Sequence, residues 1–72
     1  MEKIIIKDDF IKLGQALKLS GAVDSGVEAK YAVAEGEVKV NGEICTLRGK
    51  KLYENDTVEF NGKKYVIIRQ QF

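Results

Sequence analysis

The chain has 72 residues, of which 44 % are apolar and 32 % charged, with a formal net charge of +1. This fits one folded domain and excludes a disordered tail, and so small a net charge means that a polyanion partner has to be argued from where the cations stand. With no histidine and one cysteine, a Cys/His zinc site, a Cys–His nucleophile pair and an internal disulfide are all excluded.

In chain order, EKIIIK at 2–7 predicts a short strand, because three consecutive isoleucines are flanked by charge. Asp8 and Asp9 come next and are placed to cap a helix. Residues 9–19 carry Phe10, Leu13 and Leu17 on one helical stripe, with Lys12, Gln15 and Lys18 turned the other way. Gly14 weakens that helix but permits close packing against a neighbour. Ser20-Gly21 ends it. Residues 25–35 form the clearest helix: Ser25 and Glu28 have the spacing of a capping box, and Ala29, Ala32 and Val33 give a narrow apolar face. Gly36 ends it, and Lys30 stands one turn after Gly26, off that face.

Two hairpins complete the chain, VKVNGEIC and TVEFNGKKYVII, each turning on an Asn-Gly pair. Between them TLRGKKLYEND reads as a connecting loop, with Leu47 and Leu52 expected inward and Tyr31 and Tyr53 expected to be partly buried. The expected fold class is α+β, with two short helices packed on a small antiparallel sheet in one domain, 1–72. The final RQQF is either an exposed edge or a place where Phe72 folds back onto the core.

The glycines are too dispersed for a phosphate-binding or dinucleotide loop. Capping accounts for Asp8-Asp9 better than catalysis does, and Cys45, beside Ile44, reads as a small packed residue. No enzymatic activity, cofactor, small-molecule substrate or membrane partner is expected. The lone cysteine and the absence of a long apolar run near Met1 fit a cytoplasmic protein.

Charge is distributed unevenly. Residues 1–36 sum to −1 and residues 37–72 to +2, and between 39 and 51 Lys39, Arg48, Lys50 and Lys51 face only Glu43. By itself such a cluster fits a solvated loop as well as an anion-receiving surface. Asn41 is first of all a turn residue.

The run from Leu17 to Phe60 resembles the S4-like RNA-binding domain family, whose recognition element is called the αL motif. The likeness is carried by Leu17, Leu19, Ser25, Ala29, Gly36, Val38, Val40, Asn41 and Gly42, with Asn55-Asp56 standing where the family has a Gly-Asp turn. It covers residues 10–60. The Arg-Gly-Lys-Lys-Leu run adds a likeness to the small stand-alone bacterial members of the YaaA and YbcJ type. The resemblance implies RNA binding, of structured ribosomal or transfer RNA among the candidates, through phosphate backbone and shape. By position it implies contacts from Lys30, Lys39, Asn41, Gly42, Arg48, Lys50 and Lys51. Many members carry Arg where this chain has Gly26. A module that binds an acidic protein through the same basic surface is the alternative.

Overall fold

The computed structural model describes residues 1–70. Gln71 and Phe72, and with them the expectation for RQQF, lie outside the described residues. The elements are β1 (Glu2–Ile6), β2 (Ile11–Lys12), α1 (Leu13–Leu19), α2 (Gly26–Ala34), β3 (Val38–Val40), β4 (Glu43–Ile44), β5 (Lys51–Leu52), β6 (Thr57–Phe60) and β7 (Lys63–Arg69). Five strands make one sheet in the order β1-β7-β6-β3-β4, and β2 with β5 makes a separate two-stranded ribbon. The fold is α+β, as the sequence implies.

Alternation along each strand decides which side meets the helices. Ile4, Ile6, Val38, Val40, Val58, Tyr65 and Ile67 face inward and are buried against Leu13, Ala16 and Leu17 of α1 and Ala29, Ala32 and Val33 of α2. Small residues on α2 let it lie close to its neighbours. Full burial of a leucine or isoleucine contributes about 1.5–3 kcal/mol, and Leu13, Leu17, Leu52 and Ile67 are all fully buried. Both Asn-Gly pairs form the expected turns, with Asn41 at φ 51° and Gly42 at φ 85°, the double positive φ that a two-residue hairpin of this type needs.

Four expectations are corrected. The sheet is mixed, because β1 pairs with β7 in parallel while the other pairs are antiparallel. Helix α1 begins at Leu13 rather than Asp9, since Ile11 and Lys12 are drawn out to pair with Leu52 and Lys51 of β5. Asp8 and Asp9 therefore cap nothing, and Asp9 instead meets the Arg69 guanidinium at 2.8 Å. Leu47 is 67 % exposed, and Tyr31 and Tyr53 are exposed as well, while Leu52 is buried as expected. Cys45 is a free thiol, partly buried against the core.

Candidate functional site

The loop between β4 and β5 is fixed to the start of α1. A helix leaves its first amides without intrahelical partners. Here Leu13 N–H donates to the Lys50 carbonyl at 2.8 Å and Gly14 N–H donates to the Arg48 carbonyl at 3.0 Å. The aliphatic part of Arg48 then lies directly on Gly14, where an added Cβ would come within 2.6 Å of Arg48 Cγ. Gly14 thus lets Arg48 pack against α1, which gives its sequence position a physical reason.

Beside this contact runs a groove of about 320 Å³ lined by Lys12, Gly14, Gln15, Lys18, Gly26, Ala29, Arg48 and Gly49. Three exposed cations share it, and no carboxylate is in its lining. Three glycines keep its walls low. The first turn of α2 opens onto it, with Ser25 Oγ accepting from the Glu28 amide at 3.2 Å to fix that end. Lys30 lies one helical turn beyond Gly26 and so stands on the rim. The geometry is that of a shallow, positively charged trough suited to an extended anion. Among the described residues the ion pairs are Lys64–Glu59 and Arg69–Asp9, and no groove cation is engaged in one.

The structure distributes the remaining candidates. Lys51 sits over the Phe10 ring, 4.8 Å from its centroid. Lys50 turns toward the hairpin tip, sharing a hollow with Asn41, Glu43 and Ile44. Lys39 lies on the outer face of the sheet, opposite the helices, with Glu59 as its cross-strand partner and Glu37 near. Asn41 is engaged within the fold: its Oδ1 accepts from the Thr57 amide at 2.9 Å and its Nδ2 donates to Asp56 at 3.1 Å. Asp56 in turn accepts from the Tyr53 amide at 2.7 Å. Gly42 supplies the turn beside it. Lys12 and Lys18, read from the sequence only as the polar side of a helix, belong to the groove. The signal was their spacing with Gln15, a stripe with no acid in it.

Replacing Asn41 separates its two tasks. Asn41→Gly keeps the positive φ and loses the side-chain bonds, and should cost about 1 kcal/mol. Asn41→Ala adds left-handed strain and should cost about 1–2 kcal/mol more. Urea unfolding of the two variants measures the difference.

Among the described residues no cluster of acids or cysteine could hold a metal ion, and no helix is long and apolar enough to cross a membrane. A family model described as S4 domain matches residues 4–68. The chain belongs to the S4 domain family. This S4 domain is 48 % identical over 59 residues to RlbA of Bacillus subtilis, a probable ribosome maturation protein, with 82 % of this chain and 83 % of that one covered. It is 39 % identical over 62 residues to YbcJ of Escherichia coli, covering 86 % and 89 %. The solution structure of YbcJ, described as having an αL motif involved in RNA binding, superimposes with a TM-score of 0.73 at 36 % identity, over 94 % of this chain and 87 % of that one. The 30S ribosomal protein S4e of Thermoplasma acidophilum gives 0.64 at 31 % identity, over 83 % of this S4 domain and 32 % of S4e.

Proposed function

We propose that this S4 domain is a non-catalytic, cytoplasmic RNA-binding module that receives the phosphate backbone of structured RNA in the groove between α1, α2 and the β4–β5 loop. The observation that carries this is the convergence of Lys12, Lys18 and Arg48 on one trough whose lining holds no carboxylate. The names of RlbA, YbcJ and S4e support it and make ribosomal RNA the first RNA to try. Lysines and arginine neutralise phosphates, and the helix–loop scaffold fixes their spacing, so recognition is of backbone and shape rather than of sequence. Lys30 extends the groove along α2, and Lys50 and Lys51 extend the positive surface beyond the loop. Lys39, across the sheet and between carboxylates, contributes least.

A mobility-shift assay with a structured ribosomal RNA fragment tests the reading. Binding that weakens steeply with salt supports it. No shift at low salt removes it and leaves an acidic protein as the ligand of this surface. Gly26→Arg is a gain-of-function check. Gly26 lines the groove and an added Cβ there meets nothing within 4 Å, so a side chain can start from this position without a clash. One more phosphate contact should steepen the log–log salt slope by about 0.7–0.9, and affinity at moderate salt should rise severalfold.

A further inference from the structure

The ribbon β2–β5 has an outer face that the groove does not account for. Ile11 and Leu52 point toward the core, with Leu52 fully buried. Lys12 and Lys51, their neighbours in register, therefore point outward. One residue further along, the same alternation places Phe10 and Tyr53 on that outward side. Their rings meet, with centroids 6.0 Å apart and planes at 51°, and Lys51 Nζ lies over Phe10. Tyr53 remains 50 % exposed.

The tyrosine is also held in place. Its amide donates to Asp56 at 2.7 Å and its carbonyl accepts from the Asp56 amide at 3.0 Å, closing a turn in which Asn55 takes φ 75°. Ordering an exposed aromatic side chain is a cost that binding otherwise meets, and here the backbone is already fixed. Nearby carboxylates are occupied. Asp56 is bonded to Tyr53 and Asn41, Asp9 to Arg69, and Glu54 accepts from the Arg69 amide. Asp8, which shares a hollow with Phe10 and Lys18, is exposed.

We infer that Tyr53, backed by Phe10 and flanked by Lys51 and Lys12, is a stacking platform for one unpaired nucleobase of an RNA whose backbone lies in the groove. The inference rests on the RNA-binding reading and extends it from backbone recognition to preference for a base that has left the helix. Lys12 belongs to both surfaces, since it lines the groove and sits opposite Lys51 in the ribbon. Lys12 pairs with Lys51, so Tyr53 is its diagonal neighbour across the ribbon, about 7–8 Å away, a step short enough for a phosphate at Lys12 and the neighbouring base over Tyr53. A π-face with two cations in the next outward row of the ribbon fits a base attached to a phosphate chain, and such a platform accepts any of the four bases.

Two RNA hairpins test this, one fully paired and one identical but for a single bulged adenosine, with binding measured by fluorescence anisotropy. The parent should prefer the bulged hairpin by about 5- to 100-fold, the range for one stacked base. Tyr53→Ala should erase the preference and leave affinity for the paired hairpin and its salt slope unchanged. Tyr53→Phe and Tyr53→Trp should retain the preference. Tyr53→Leu, which keeps apolar contact with Phe10, should lose it like alanine, so that a fold defect in one variant does not decide the matter. With 2-aminopurine at the bulge, the parent should quench its emission and Tyr53→Ala should not. Equal binding of both hairpins by the parent, or a preference that survives in both Tyr53→Ala and Tyr53→Leu, overturns the platform while leaving the groove intact. No binding of either hairpin at low salt overturns the RNA reading and the platform with it.

Discussion

Leu52→Ala is expected to leave the protein largely unfolded or close to it. Leu52 is fully buried, and truncating a buried leucine costs about 2–5 kcal/mol in lost transfer and residual cavity. A domain of this size has little to spare, since total stabilities run about 5–15 kcal/mol and small chains bury the least surface. The position carries more than its own contacts. β5 pairs with β2, and the carbonyls of Arg48 and Lys50 just before it cap the first turn of α1. Urea denaturation monitored by circular dichroism should show the midpoint collapsing for Leu52→Ala, while Leu47→Ala, at the exposed end of the same loop, should stay within about 0.5 kcal/mol of the parent. Equal destabilisation by the two would mean that the loop is not anchored as described.

The second large effect is on binding. Lys12→Ala, Lys18→Ala and Arg48→Ala combined should weaken binding of structured RNA by on the order of 100-fold or more at moderate salt, because charge-assisted contacts are lost at three places in one trough. All three side chains are exposed and none is in an ion pair among the described residues, so the unfolding midpoint should fall only slightly, by the packing that the Arg48 stem makes on Gly14. Lys39→Ala is the contrasting variant: on the other side of the sheet, beside Glu59, it should change affinity severalfold at most.

Much of this scaffold was legible from local signals. The Ser25 cap, the alanine face of α2, both Asn-Gly turns and the inward Leu52 each arise from chemistry confined to a few neighbouring residues. What escaped depends on partners far away in the chain. Ile11 and Lys12 continue the helical spacing of α1 backward, yet they pair with residues 51 and 52, and that pairing outweighs the local pattern. The same pairing turns Phe10 and Tyr53 outward, so an aromatic read as core becomes surface. The parallel partnership of β1 with β7 joins the two ends of the described chain and leaves no mark in either segment. For the site, the sequence grouped Arg48 and Lys30 with Lys39; the structure puts Arg48 in the groove lining and Lys30 one turn beyond Gly26, while strand parity sends Lys39 to the opposite face of the sheet. Lys12 and Lys18 lacked a distinguishing motif, and only their shared stripe without acids marked them.

The most direct measurement is the salt dependence of RNA binding by the parent and by the Lys12/Lys18/Arg48 alanine variant, taken over the same range of monovalent salt. With Lys30 at the rim, four phosphate contacts give a log–log slope of about −3 to −4 for the parent, and removing three of them should leave a slope of about −1. Identical slopes for the two proteins would place the phosphates elsewhere and contradict the assignment of the groove.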